Sequence, residues 1–418
     1  MMAVYGDSCL FSYLSLYPSC GEDQMKGLGL RVAVVHPLFG WGGTESVCSW
    51  VLQALQEEYK VTLLTLDEKV NFERLNKFYG TSIDPEKVEI LRLRAPILLS
   101  DNMSRFSVLR QHYVMRLCKK LNDNFDIFFS TYNEMDFGKP GIQYVHFPFF
   151  VGYELSKLKE ETYSRVWYHK PNIVRSIYEI IGRKISNFDI ENALRNLTLV
   201  NSLWTAQIFE SAYKVKPEVL YPPVFVSSYQ IERYSLSYEK RENGFVAIGR
   251  IEPTKRFMEI IEIVKKVRES GFDVHLHIVG KPGEQKYYKK IVELSRLHSD
   301  WLFIETDMDR EQLLKLLGYH KYGIHGKINE HFGIAIAEMV KLGILPFVHN
   351  SGGQVEIIDA NELKYEDINE AVRKILNVLR NPLLERELRS KINNRAENFS
   401  ETAFMEKVKE IVNRITFK

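Results

Sequence analysis

Two glutamates, Glu330 and Glu338, stand eight residues apart with Phe332-Gly333-Ile334 between them. A glycine opening a helix lets the backbone approach a ligand closely, and the free N–H groups of a first helical turn suit a phosphate or polar hydroxyls. Glu330 then precedes the helix, and Glu338 lies about two turns inside it on nearly the same side. Carboxylates so placed can each accept hydrogen bonds from paired hydroxyls, one pair on a hexose and one on a ribose. A helix with one solvated acid at its start and another on its polar face gives the same pattern, because acids are common at helix starts. The spacing alone does not choose between the two.

Three further groups raise related chemistry. The run from Gly249 to Lys255 puts Arg250 at a strand end and Lys255 in the next turn, where two cations could neutralise a diphosphate leaving group. A solvated basic turn has the same sequence. The run Gly40-Trp41-Gly42-Gly43-Thr44-Glu45 is not the Gly-x-Gly-x-x-Gly of a dinucleotide site, and no acid sits convincingly at the ribose spacing. Gly42 and Gly43 could still offer amides to a phosphate or sugar, or form only a tight turn. His146 ends a strand in Tyr144-Val145-His146-Phe147-Pro148. A neutral imidazole there could bond a sugar hydroxyl, help handle an acceptor proton, or merely cap the strand.

The elements that must position these residues are legible from periodicity. Arg31–His36 is a β-branched strand, followed by the Gly-Gly turn, an amphipathic helix with Val47, Trp50, Val51, Ala54 and Leu55, and a strand at 61–66. That order is a doubly wound signature. Strands are expected at 88–93, 127–130, 142–146 and 197–201. A second α/β series has strands at 245–249, 274–280, 322–325 and 345–349, with helices at 258–269, 312–317 and 333–341. The fold class is therefore α/β, with two Rossmann-like domains facing across a cleft, where ligands bind. The expected boundaries are a poorly defined extension at 1–29, a first domain at 30–226, a linker at 227–243, a second domain at 244–400, and a terminal helix at 401–418 packing back towards the first domain.

Composition excludes several classes. The chain has 418 residues, enough for two domains, and a net charge of +2, so no global basic field points to nucleic acid. Four cysteines (Cys9, Cys20, Cys48, Cys118) show no C-x-x-C pair, and no Cys/His cluster has metal spacing, so neither a disulfide scaffold nor structural zinc is expected. A reducing cytosolic setting fits. No apolar run reaches membrane-spanning length. Local charge is uneven: seven bases face one acid, Asp101, between Leu91 and Leu121, and a second basic stretch runs from Lys157 to Lys184. Both interleave with apolar residues, a pattern of surfaces that rest on anionic membranes and equally of ordinary solvated helices.

Taken in order, the Gly-Gly loop, the histidine after a mid-domain strand, Gly-Arg with a lysine five residues on, and Glu-x7-Glu resemble the large family of retaining glycosyltransferases with the GT-B fold, family 4, over roughly residues 31–360. Within it, Tyr144–Pro148, Val200–Thr205, Tyr221–Pro223, Asn329–Ile334 and His349–Gly353 are similar to stretches of mannosyltransferases that elongate lipid-linked glycans from GDP-mannose at a cytosolic membrane face. The resemblance implies that Glu338 binds the donor ribose and that Glu330 contacts the transferred sugar, with the backbone of Phe332, Gly333 and Ile334 nearby. It implies that Arg250 and Lys255 hold the diphosphate, that Gly43 lets its loop approach the donor, and that His146 lies near the reacting centre. The expected partners are a nucleotide-sugar donor and a glycan or lipid-linked acceptor, with peripheral membrane contact. No cofactor or metal is expected if the cations carry the leaving group's charge. The alternatives are a GT-B epimerase and a sugar-nucleotide-binding subunit without catalysis.

Overall fold

The computed structural model describes residues 29–40, 42–96, 99, 106–150 and 173–416. The expected N-terminal extension lies almost wholly outside them, as do Trp41, Arg105, Cys9, Cys20 and the first part of the second basic stretch.

Two all-parallel sheets organise the chain. The first has seven strands: β1 (Arg31–Val35), β2 (Lys60–Thr65), β3 (Val88–Arg92), β4 (Ile127–Ser130), β5 (Ile142–Val145), β6 (Leu197–Val200) and β7 (Glu218–Val219), in the order β3-β2-β1-β4-β5-β6-β7. The second has six: β8 (Glu242–Ile248), β9 (His275–Val279), β10 (Leu302–Glu305), β11 (His320–His325), β12 (Leu345–His349) and β13 (Lys364–Tyr365), in the order β10-β9-β8-β11-β12-β13. In each sheet the chain runs outward one way from a central strand and then the other. The reversal point falls beside β1 and β8, so the loops after those strands open at the ligand edge.

β1 pairs Val32 with Val61 of β2 and with Ile127 of β4, and Val32 to Val35 are wholly buried. Such continuous apolar runs are what a sheet covered on both faces requires. The terminal helix Glu401–Thr416 places Phe404, Val408, Ile411 and Val412 in the core of the first sheet, against the helix Gly43–Leu55. Burying each of these side chains stabilises by ~1.5–3 kcal/mol, which ties the chain's end to the half where it began.

The polar stretch at 227–243 is more structured than a linker. Ser227 caps the helix Ser228–Tyr234 through a reciprocal bond with Gln230. Ile231 and Tyr234 then pack with Leu314 and Leu317 of the helix Arg310–Tyr319. The sequence hides this because only two apolar positions mark the helix. Cys48 and Cys118 are buried free thiols.

Candidate functional site

The second half supplies a charged cluster. Gly333 has φ +106 and caps the helix Ile334–Lys341, a left-handed conformation that glycine adopts without penalty. Since the helix starts at Ile334, Glu338 lies about one turn inside it rather than two. Glu330, just before this start, is almost buried and fully engaged. Lys255 Nζ lies 2.7 Å from its Oε2, Lys327 Nζ 3.1 Å from its Oε1, and His325 Nε2 3.2 Å from its Oε2. Burial alone would raise the Glu330 carboxyl, but Lys255, Lys327 and His325 together hold it well below the usual carboxylate range. Burial and the neighbouring lysines lower His325 to about 4, so it is neutral and donates its Nε2–H to the carboxylate.

The loop that carries Glu330 is held from behind by Ser351-Gly352-Gly353. Asn329 N–H donates to Ser351 Oγ at 2.8 Å, and Gly353 N–H donates to the Glu330 carbonyl at 2.7 Å. A Cβ on Gly352 would stand 2.4 Å from that carbonyl oxygen, so the close approach requires glycine. Gln354 Nε2 ties the same loop through the Lys327 carbonyl. The backbone is therefore fixed before any ligand arrives.

The first half contributes a neutral imidazole and a glycine turn. His146 is half-buried and donates Nε2–H to the Thr131 carbonyl at 3.1 Å, which leaves Nδ1 as a lone-pair acceptor. Burial lowers its pKa to about 4, so this tautomer stays uncharged. Its backbone is fixed by Asn133 Oδ1 and Asn201 Nδ2. In the glycine turn, the Glu45 carboxylate accepts N–H bonds from Gly40 at 2.9 Å and Gly42 at 3.0 Å. The Gly42 amide is thus spent on its own turn, contrary to its expected role as a bare donor, and the approach falls to Gly43. A Cβ on Gly43 would lie 2.5 Å from Ile334 Cδ1, so the turn of one half meets the helix start of the other.

Further contacts cross between the halves. His331 stacks on Phe147 with ring centroids 4.4 Å apart and on Trp204 at 5.9 Å. Ser202 Oγ donates to the His331 carbonyl at 2.7 Å. The Glu356 carboxylate accepts the N–H groups of Leu203 and Trp204, both at 2.8 Å, so a side chain from the second half caps the helix Leu203–Tyr213 of the first.

Glu330, Lys255, Gly333, Ile334, Gly43 and the backbone of Phe332 are thus brought together. Phe332's ring is instead core, packed on Tyr221 and Phe399. Arg250 stands apart on the rim, with a side chain 70% exposed and its nearest acid, Glu252, 3.9 Å away. Glu338 pairs with Arg310 at 2.7 Å. Sequence reasoning missed Arg310, Lys327 and His325. Lys327 and His325 carried a signal, a base and a ring three and five residues before Glu330. Arg310 had none, since it arrives from another helix. No Asp-x-Asp triplet was expected, yet one stands at Asp307 to Asp309, and Asp309 is used to cap the helix Arg310–Tyr319.

Two lysines share one carboxylate here, which leaves a positive surplus beside a helix N-terminus, the electrostatic complement of a phosphate group. Residues 229–399 match the family model described as "Glycosyl transferases group 1". The chain is 24% identical to the GDP-Man:Man(3)GlcNAc(2)-PP-Dol alpha-1,2-mannosyltransferase of Dictyostelium discoideum, over 92% of this chain and 85% of that protein. The protein of the same name from Candida glabrata is 26% identical over 52% of this chain and 44% of its own length. Among solved structures, a glycosyltransferase from Rickettsia africae matches with a TM-score of 0.63 at 16% identity, covering 93% of this chain and 99% of that one. WaaG, a glycosyltransferase involved in lipopolysaccharide biosynthesis, matches with a TM-score of 0.65 at 14% identity, covering 91% and 99%. These likenesses establish the GT-B fold.

Proposed function

We propose that this chain, a glycosyltransferase with a group 1 domain, transfers mannose from GDP-mannose to a lipid-linked glycan with retention of the anomeric configuration. The observation that carries the reading is the convergence of Lys255 and Lys327 on Glu330 at the start of the helix Ile334–Lys341, opposite Gly43. The near full-length similarity to the Dictyostelium protein supports mannose and a lipid-linked acceptor.

The reaction breaks the bond between the anomeric carbon and the diphosphate oxygen and forms one to an acceptor oxygen. Negative charge grows on the diphosphate as the bond lengthens. Lys255 and the amides of Gly333 and Ile334 stabilise it, and Arg250 reaches in from the rim as the donor binds. Pre-set cations act in this way without reorganising during the step. Glu330 keeps the two lysines in place and, by exchanging one of its present contacts, accepts from a hydroxyl of the transferred sugar. Glu338 takes the ribose hydroxyls, exchanging its contact with Arg310. His146 offers Nδ1 to a hydroxyl at the reacting centre. The acceptor proton leaves with the diphosphate on the same face, which yields retention.

The helices Ser107–Lys120 and Ile173–Ser186 pack on each other and expose Arg116, Lys120, Arg183 and Lys184 near Ile177, Ile180 and Ile181. We place this face against an anionic membrane surface, where a lipid-linked acceptor resides. Its charge is smaller than the sequence promised, because Arg110 is buried and bonds the Leu99 carbonyl and Lys119 is paired with Asp136.

The test incubates the purified chain with radiolabelled GDP-mannose and a polyprenyl-diphosphate-linked glycan. Label should enter the lipid extract in an α-mannosidase-sensitive linkage. Binding of GDP-mannose without any product would favour the non-catalytic reading, and transfer from UDP-glucose alone would overturn the donor.

A further inference from the structure

At the amino edge of the second sheet, away from Lys255 and Glu330, three histidines meet. His275 opens β9, His277 follows on the same face, and His320 opens β11. One ring nitrogen from each lies within 4.8 Å of the others. His275 Nε2 and His320 Nε2 are 2.9 Å apart. Glu242, at the start of β8, brings Oε2 to 3.3 Å from His275 Nε2 and 3.9 Å from His320 Nε2. His277 Nδ1 is shielded from solvent and makes no hydrogen bond, although Glu305 Oε1 is 3.4 Å away.

We propose that His275, His277 and His320, completed by the Glu242 carboxylate, form a site for a divalent transition-metal ion of the zinc class, separate from the transfer site. Three imidazoles and one carboxylate are a donor set that suits such ions. Tetrahedral ligation at ~2.0–2.1 Å sets the nitrogens ~3.3 Å apart, so the His275–His320 pair need open by only a few tenths of an ångström. Orientation is already provided. His320 donates Nδ1–H to the Leu316 carbonyl at 2.6 Å, which fixes the tautomer with a lone pair on Nε2 facing the cluster. In the metal-free state that lone pair accepts the His275 Nε2–H. On binding, the ion takes that proton's place and the proton moves to His275 Nδ1 or to solvent.

Space is also provided. A Cβ on Gly244 would stand 2.2 Å from His275 Nε2 and 2.6 Å from His320 Cδ2, so any larger residue there would invade the cluster. Metal-ligand spacing is absent from the sequence, because the third histidine lies 43 residues beyond His277. Only the pairing of β8 with both β9 and β11 gathers the set. Bound metal would pin these three strands together.

The experiment uses the full chain without an affinity tag, stripped with a chelator and titrated with Co²⁺ and then Zn²⁺. We expect about one ion per chain, the visible absorption of four-coordinate Co²⁺, its displacement by Zn²⁺, and a rise in Tm. His277→Gln and His275→Gln should each weaken binding ~100-fold or more and abolish the Tm rise. His275→Gln, at a partly exposed position, serves if the more buried variant does not fold. Absence of binding, or binding unchanged in the folded variants, overturns the site.

Discussion

The two halves face one cleft with opposite chemistry. The second half presents Lys255, Lys327 and Glu330 in one buried cluster, with Arg250 on the rim. The first half presents a glycine turn whose Gly42 amide is already bonded, a neutral His146, and the rings of Phe147 and Trp204. Charge that is set before the ligand arrives can hold a diphosphate and stabilise it as it leaves. Neutral and aromatic groups can orient a sugar and admit an acceptor without competing for the anion. On the function proposed above, leaving-group chemistry falls to one half and geometry to the other.

The largest effect should follow loss of the charge. Lys255→Ala should lower turnover ~100- to 1000-fold, the scale of losing one preorganised donor to a developing oxyanion, while circular dichroism stays native. Turnover within a few-fold of the parent would break the assignment of charge to the second half.

Geometry comes next. Gly43→Val should reduce kcat/KM by about tenfold, because a branched side chain collides with Ile334 and displaces the donor by a fraction of an ångström. Shortening the partner in the same chain, Ile334→Ala, should recover part of the loss. No recovery would mean that the turn acts independently of the helix start.

Acid should weaken both halves together. Burial lowers His112 and His146 in the first half to about 4, and His325 and His331 in the second to about 4 and about 3. The unfolded chain titrates these rings near 6.5, so between roughly 4 and 6.5 it binds more protons than the fold does. The stability that these four rings contribute is then complete above about 6.5 and falls as pH drops towards 4. A Tm that stays flat from pH 7 to 5 would show that the rings are not buried neutral.

The smallest effect concerns the bridge between the halves. Glu356→Gln keeps the shape but loses the charge that caps Leu203 and Trp204, so urea denaturation should show a loss of about 1 kcal/mol. An unchanged midpoint would mean the cap is replaced by solvent.

Much of this was legible in the sequence. β-branched runs marked β1, β2, β8 and β9, and the Gly333 helix start was visible because glycine there has a conformational reason. The edge strands β7, β10 and β13 were missed, since two to four residues carry little periodicity. The helix Ser228–Tyr234 reads as linker in the sequence because tertiary packing, not pattern, stabilises it. In the site, Glu330 and Lys255 were found by type and spacing. Their mutual engagement was not, because it depends on a turn 75 residues away folding onto the same loop. Arg310 on Glu338 and Glu356 on the helix Leu203–Tyr213 escaped for the same reason.

On the proposed function, the second half alone holds the donor diphosphate. Calorimetric titration of GDP into the parent, Lys255→Ala and His146→Ala chains tests it most directly. Losing one charge-assisted contact should weaken GDP binding ~10- to 100-fold in Lys255→Ala, whereas His146→Ala should stay within about twofold of the parent. Weaker binding in His146→Ala with parental affinity in Lys255→Ala would contradict the account.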